Sequence, residues 1–192
     1  MCRNFRPDDL PDGLVVDLLD RARRAPSAGN TQAVEFGVVT DPERYWGITL
    51  TPERRAEFAW PGLLRAPVLV LVLTDPERYV QRYAEPDKAH SGLGRNPEAW
   101  PVPYWWVDAG MAVHHLLVAA TAADLGACFF GVFEHEAAVR QGLGLADRYR
   151  IVGTVALGYA ADHRPGRSAG RPRRPIDEVV HLVPPDRLRC SP

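Results

Sequence analysis

The feature that most constrains the fold is an uninterrupted apolar segment from Ala66 to Leu73. Its eight residues do not alternate between apolar and polar side chains, so a strand formed here has both faces covered by other parts of the chain. The segment is far shorter than the roughly 20 residues that a membrane-spanning helix needs. We therefore predict a central β-strand over residues 67–73, in a sheet with helices packed on both sides.

Hydrophobic spacing and proline predict the other elements. Between Pro11 and Pro26, apolar residues recur with the spacing of an amphipathic helix. Residues 108–125 are apolar on nearly all sides, which predicts a long buried helix that Gly126 ends. The remaining predicted strands are residues 36–40, 128–130 and 151–157, with a final extended piece at 176–183. This order predicts an α/β or α+β fold with a sheet of four or five strands.

Composition and charge narrow the class of protein. Of the 192 residues, 46% are apolar and 24% are charged, as is typical of a globular chain and not of a disordered one. The net charge of −1 gives no overall basic character for binding nucleic acid or an anionic membrane. Three scattered cysteines (Cys2, Cys128 and Cys190) and an N-terminus without an apolar stretch predict a cytoplasmic location. We expect a single domain, residues 1–192.

Motifs for nucleotide phosphates and for metals are not convincing. The segment Gly142 to Asp147 lacks the third glycine of a dinucleotide-binding turn and follows a predicted helix rather than a strand. His114 and His115 are adjacent on a helix, so their side chains point about 100° apart. Cys128, beside two phenylalanines, is interpreted as a small core residue rather than a nucleophile. We predict no metal site and no catalytic side-chain acid or base.

Two segments carry residue types that suit a phosphate-bearing ligand. Residues 25–32 combine small side chains, past which a ligand can approach the backbone closely, with amides and hydroxyls that bind heteroatoms. Residues 171–175 (Arg-Pro-Arg-Arg-Pro), together with Arg3, concentrate guanidinium groups that suit bidentate capture of a phosphate. Each segment also has an ordinary interpretation, as a helix-ending loop and as a solvated basic tail. The residues alone leave both interpretations open.

A long excursion precedes the predicted buried helix. Residues 84–103 contain four prolines and two glycines, and aromatic residues cluster at their end: Trp100, Tyr104, Trp105 and Trp106. Long loops in compact domains are usually functional or disordered, and the aromatic cluster favours a packed, functional loop over residues 84–106. A core role explains two of these aromatics equally well.

Five segments, in this order along nearly the whole chain, resemble the nitroreductase family of FMN-dependent flavoproteins. They are Cys2 to Phe5, Arg23 to Gln32, Asp108 to Ala127, Val152 to Tyr159 and Arg171 to Val180. The resemblance implies an α+β three-layer sandwich that forms a homodimer with FMN sites built from both chains. It further implies a C-terminal strand exchanged with the partner subunit. The excursion 84–106 would then lie over the active site, and residues 162–192 would form a basic C-terminal extension.

The resemblance also implies which residues contact FMN and the acceptor. The phosphate would be held by arginines, namely Arg3, Arg171, Arg173 and Arg174. A second subunit would pack the small residues Pro26, Ser27 and Ala28 on the flavin face, with Asn30 and Gln32 bonding its edge or the ribityl hydroxyls. The Phe130–Gly131 corner would offer a backbone N–H near the flavin N5. Trp100, Tyr104 and Trp105 would contact the acceptor.

By the same resemblance, NAD(P)H reduces FMN, leaves, and is replaced by a nitroaromatic, quinone or related conjugated acceptor in a ping-pong mechanism. Two other interpretations stay open: an FMN-dependent dehydrogenase or oxidase of a biosynthetic pathway, and a flavin-binding protein without nicotinamide-dependent turnover. The chain departs from the family pattern in that members commonly start earlier, with further basic and serine residues. Ala33-Val34 stands in place of the usual Pro-Trp, and Arg65 stands where many relatives have a lysine.

Overall fold

A four-stranded antiparallel sheet forms the centre of the molecule. The computed structural model describes residues 1–162, 166 and 169–181. The strands are β1 (Val34–Val39), β2 (Val68–Thr74), β3 (Gly126–Phe130) and β4 (Arg150–Gly158), in the spatial order β1-β2-β4-β3. The helices are α1 (Leu14–Ala22), α2 (Pro42–Thr49), α3 (Pro52–Ala56), α4 (Pro76–Ala84), α5 (Tyr104–Ala122) and α6 (Glu136–Gly142). The four predicted strand regions and the α+β class are confirmed.

The unbroken apolar run of β2 is explained by two hydrophobic cores, one on each face of the sheet. Leu69, Leu71 and Leu73 point into a core that also contains residues of α2 and α6. The intervening valines of β2 point into the other core, which is built with α1 and α5. Because successive side chains of a strand face opposite sides, a strand between two cores has no polar positions. The sheet is thus the middle of three layers.

Helix α5 differs from its prediction at both ends. It begins at Tyr104, directly after Pro103, and so starts one turn before Asp108. It ends at Ala122, where Asp124 takes a left-handed conformation (φ 56°) and the Leu125 N–H donates to the Ala120 carbonyl over 2.9 Å. Gly126 does not end the helix, because it is already the first residue of β3. The helix is also not buried on all sides, since Val107 and Val118 are exposed.

The predicted final strand is not formed in the described part of the chain. Residues Ile176–Glu178 make a single 3₁₀ turn, closed by a hydrogen bond from the Val180 N–H to the Ile176 carbonyl (2.9 Å). The ion pair between Arg174 and Glu178 (3.2 Å) lies across the same turn. These local contacts favour a turn over an extended backbone. Residues 182 and 183 of the predicted strand lie outside the described residues, as do Arg164, Arg167 and Cys190.

Across the described residues, none of the helices combines the length and the apolar character required to cross a membrane.

Candidate cofactor-binding site

The N-terminal segment forms the basic end of a surface groove. The Arg3 guanidinium lies 5.3 Å from the centre of the Trp60 ring. Beside it, Arg65 donates to Asn4 Oδ1 (2.6 Å), and Asn4 Nδ2 donates to the carbonyl of Asp162 (2.9 Å). Together these residues line a cavity of about 430 Å³. Two guanidinium groups therefore meet at one opening, although Arg3 and Arg65 are far apart in sequence.

The local sequence fixes this segment in place. Phe5 is fully buried, pairs with Ala160 as an isolated β-bridge, and donates its N–H to the Gly62 carbonyl (3.1 Å). A Cβ on Gly62 would lie 2.9 Å from the Cα of Asn4, a separation that real Cβ contacts do not reach. Glycine is therefore required at position 62, because the backbone carrying Arg3 runs directly against it.

A second, aromatic cavity of about 290 Å³ adjoins the first, and the two together are called the groove. Arg3 and Trp60 line both cavities. The aromatic walls include Tyr45, Trp46 and Phe130, and the Trp46 and Phe130 rings are stacked with centroids 5.7 Å apart and planes inclined by 17°. Cys128 also lines this cavity, and burial raises the pKa of its thiol, as suits a core residue. The groove thus joins a cationic end to a flat, apolar one.

The Phe130–Gly131 corner, which carries the predicted backbone donor, lines the aromatic cavity. A Cβ on Gly131 would come within 2.6 Å of the Phe133 ring, which is exposed and can turn aside. Phe133 has a left-handed backbone (φ 48°) and its side chain is 82% exposed. An exposed ring on a strained backbone indicates a functional surface rather than a packing role.

Residues 25–32, here named the corner loop, connect α1 to β1 and have an unusual backbone. Gly29, Asn30 and Gln32 all have left-handed φ angles, at 60°, 54° and 52°. Left-handed conformations strain residues other than glycine, so surrounding contacts must hold them. Ser27 Oγ accepts a hydrogen bond from the Gln32 N–H (3.0 Å), and the Arg82 guanidinium donates to the Gly29 carbonyl (2.8 Å). Contacts within the loop and with α4 therefore hold its backbone conformation.

The corner loop and the groove lie on different faces of the sheet. Pro26, Ser27 and Gln32 line a small cavity with Asp108 of α5, on the side covered by α1 and α5. The groove lies on the side covered by α2 and α6. Within one chain, the two sets of predicted flavin contacts therefore do not face the same cavity.

The aromatic excursion packs mainly inward. Trp100 and Trp105 are 7% and 8% exposed and pack edge-on against Tyr79, with centroids 5.8 and 6.1 Å away. The Trp100 indole N–H donates to the Leu93 carbonyl (3.0 Å). Of the three predicted acceptor contacts, Tyr104 is the one with a largely exposed side chain. The excursion thus supports the corner loop from behind, since Ala28 and Tyr83 join the same aromatic cluster.

The tail arginines are exposed. Arg174 is engaged with Glu178, whose backbone carbonyl it also contacts (2.8 Å). Within the described residues, no ion pair holds Arg171 or Arg173. The start of the basic extension does return to the groove, because the Ala161 N–H donates to the Asn4 carbonyl (2.9 Å), and a Cβ on Gly166 would lie 2.7 Å from the Arg3 guanidinium.

Sequence reasoning missed two residues that organise these surfaces. Asp108 was treated only as a helix residue, yet its carboxylate accepts from the Ala28 N–H (2.8 Å) in the corner loop. Arg82 was assigned no role, yet its guanidinium donates to the Gly29 carbonyl. Both contacts span more than 50 positions, and no local pattern signals them. Among the described residues, no three potential metal ligands come together.

Comparisons with known proteins agree with this arrangement. The chain matches the sequence profile of the Nitroreductase family over residues 1–159. It is 31% identical over 199 residues to a protein named NADH dehydrogenase from Thermus thermophilus, covering 93% of this chain and 89% of the relative. Its fold is similar to that of a nitroreductase family protein from Streptococcus pneumoniae TIGR4 (TM-score 0.74, 20% identity, 94% of each chain). It is also similar to an FMN-dependent nitroreductase from Clostridium difficile R20291 (TM-score 0.67, 18% identity, 95% of this chain and 93% of that one).

The resemblance drawn from the five sequence segments is therefore confirmed. A profile that covers most of the chain and a relative aligned over nearly its whole length show the family, and two solved structures share the fold. This chain belongs to the Nitroreductase family, a family of flavin-binding oxidoreductases.

Proposed function

We propose that this protein binds FMN in the groove and uses NADH or NADPH to reduce a nitroaromatic, quinone or related conjugated acceptor. The observation that carries the proposal is the groove itself, where paired guanidinium groups adjoin a flat aromatic wall and a glycine corner. FMN has a dianionic phosphate and a flat tricycle with polar edges, so the two ends match in chemistry. The relative named NADH dehydrogenase and the neighbour named FMN-dependent nitroreductase support the same proposal.

The basic end would hold the phosphate. Arg3 and Arg65 already meet at one cavity, and Arg171 and Arg173 follow the segment that returns beside Arg3. Hydrogen bonds to a charged group contribute about 1.5–3 kcal/mol each, and a guanidinium can donate two at once to phosphate oxygens. This binding needs no metal ion.

The Phe130–Gly131 corner would donate hydrogen bonds to the FMN ring. FMN, when bound, supplies the chemistry of accepting and passing on a hydride. The backbone N–H groups that follow Phe130 would donate to the ring edge and stabilise negative charge there, which favours reduction. Because this role belongs to the backbone, no side-chain acid or base is required.

The corner loop would complete the site of a second copy. Pro26, Ser27 and Gln32 face away from their own chain's groove, so they can reach a flavin only across a homodimer interface. Exposed apolar side chains on the same face, Val16 of α1 with Val107 and Val118 of α5, suit burial in such an interface. Donor and acceptor would then occupy the same space over the flavin in turn, as a ping-pong mechanism requires.

The test is anaerobic mixing of the purified FMN-loaded protein with NADH or NADPH, followed through the visible absorbance of the flavin. We expect rapid bleaching, and recovery of the colour when a quinone or nitroaromatic compound is added. Free FMN with the same donor is the control. Riboflavin, which lacks the phosphate, should be retained less well than FMN.

Two results would count against the proposal. Protein that stays yellow with both nicotinamides, and bleaches only with another substrate, would identify a dehydrogenase or oxidase instead. Protein that remains colourless after incubation with excess FMN would exclude the cofactor itself.

A further inference from the structure

A buried carboxylate lies behind the corner loop. Asp108, in the second turn of α5, is 1% exposed. Its Oδ2 accepts two hydrogen bonds of 2.8 Å each, from the Ala28 N–H and from the Tyr79 hydroxyl. Its Oδ1 is buried and accepts none in the described structure.

Burial of this carboxylate costs free energy that packing alone does not recover. Both of its donors are neutral groups, and among the described residues no arginine, lysine or histidine forms an ion pair with it. Burying a charge without an ionic partner costs free energy, whereas a small apolar side chain would fill the same site in α5 without that cost. The two hydrogen bonds therefore point to a role beyond packing.

The bonds of Asp108 join three parts of the chain that are distant in sequence. Ala28 belongs to the corner loop, Tyr79 to α4 and Asp108 to α5. Burial and the neighbouring Asp108 raise the pKa of Tyr79 far above its ordinary value, so its hydroxyl remains a donor at any physiological pH. The Tyr79 ring is itself fixed between Trp100 and Trp105.

The corner loop needs such an anchor. Two of its residues other than glycine, Asn30 and Gln32, are left-handed, a strained state that persists only when surrounding contacts impose it. Arg82 holds the Gly29 carbonyl from one side, and Asp108 holds the adjacent Ala28 N–H from the other. The Ala28–Gly29 segment is therefore held at two points, directly after Pro26 and Ser27.

We propose that Asp108 is a positioning residue, which fixes Ala28 so that Pro26 and Ser27 meet the partner's flavin in a preorganised conformation. The inference rests on the proposed FMN site and adds to it a residue that does not contact the flavin. Preorganisation raises the affinity for FMN, because the loop is already ordered and its ordering does not cost free energy on binding.

The experiment compares four variants of the full-length, FMN-loaded protein. Asp108→Ala removes the acceptor. Asp108→Asn keeps one oxygen to accept both bonds and replaces only the unbonded Oδ1. Tyr79→Phe removes a single donor, and Val113→Ala, in the buried part of the same helix, is the matched control for lost packing.

Three quantities are measured for each variant: FMN release on dilution, amide hydrogen exchange of the segment containing Ala28 without FMN, and the melting temperature. For Asp108→Ala we expect about tenfold weaker FMN binding, as for one lost hydrogen bond to a charged group, and fast exchange at Ala28. Asp108→Asn should stay within about threefold of the unmodified protein. Val113→Ala should melt lower and keep its FMN affinity and Ala28 protection.

Equal loss of FMN affinity in Asp108→Ala and Val113→Ala at equal loss of melting temperature would overturn the inference. If Asp108→Ala does not fold, Tyr79→Phe decides instead, and unchanged exchange at Ala28 in that variant would overturn it too. Failure of the unmodified protein to bind FMN is a separate result, which overturns the proposed function and this inference together.

Discussion

At the scale of single residues, arginine has two different roles in this chain. Arg82 is fully engaged, with a bidentate ion pair to Asp87 (2.8 Å each) and a hydrogen bond to the Gly29 carbonyl. That pairing holds the pKa of Asp87 below its ordinary value. Arg3 instead stacks on Trp60 and forms no ion pair with the described residues. A paired guanidinium supports structure, whereas one left with its donors uncommitted at a cavity can bind an anion.

The same distinction gives a prediction for the tail. Arg173→Ala should lower FMN occupancy by about tenfold or more, because one charge-assisted contact to the phosphate is lost, while the melting temperature of the FMN-free protein stays unchanged. Arg54→Ala, an exposed arginine on α3, is the control and should change neither quantity. Occupancy is measured from the ratio of flavin to protein absorbance. An Arg173→Ala protein that keeps all its FMN but melts several degrees lower would show that Arg173 is structural.

At the scale of elements, a partly buried ion pair between Glu136 and Arg150 joins α6 to strand β4. Glu136 accepts from the Arg150 guanidinium (2.8 Å) and from the Ile151 N–H (3.0 Å). These contacts, led by Arg150, hold the pKa of Glu136 below its ordinary value. Because α6 follows the Phe130–Gly131 corner directly, the pair also fixes the end of the groove.

The shifted pKa predicts how acid destabilises the fold. Since the folded pKa of Glu136 is lowered, its stabilisation is present at neutral pH and is lost as the pH falls below about 4.5 through the folded value. Glu136→Gln should therefore lose about 1 kcal/mol of unfolding free energy at pH 7 and show a shallower decline on acidification. Urea unfolding at several pH values measures this. Glu134→Gln, an exposed neighbour, is the control, and equal behaviour of the two variants would contradict the prediction.

At the scale of the whole molecule, the two faces of the sheet carry different parts of the proposed site. The side with α2 and α6 carries the groove, and the side with α1 and α5 carries the corner loop and the exposed valines. A site assembled from both sides requires two copies. The FMN-loaded protein should therefore elute at about twice its 21.3 kDa.

A charge on the α5 face should separate the copies. Val118 is 53% exposed, so Val118→Glu costs little in the single chain but places a buried charge in the proposed interface. We expect a monomer with unchanged circular dichroism and greatly reduced FMN retention, measured by size-exclusion chromatography and absorbance. Val102→Glu, 50% exposed and outside α1 and α5, is the control. A Val118→Glu monomer that retains FMN fully would contradict the shared site.

The sequence could predict features that depend on neighbours along the chain. The apolar run of β2 required two covered faces, and a hydrophobic core lies on each of them. The same reasoning failed at the end of α5, because a left-handed Asp124 gives no clearer signal than the glycine two residues later. It also failed in the tail, where Arg174 and Glu178 favour a turn over the expected strand.

The sequence by itself determined that the central strand is covered on both faces, which follows from hydrophobic periodicity, and the family, which follows from the resemblance of five segments. Only the tertiary structure decided that Trp100 and Trp105 turn inward, that Arg65 joins Arg3, and that Asp108 holds Ala28. The physical reason is that these contacts join residues from about 20 to 80 positions apart in the chain. Which side chains meet at such separations depends on how the layers pack, and no local pattern encodes that.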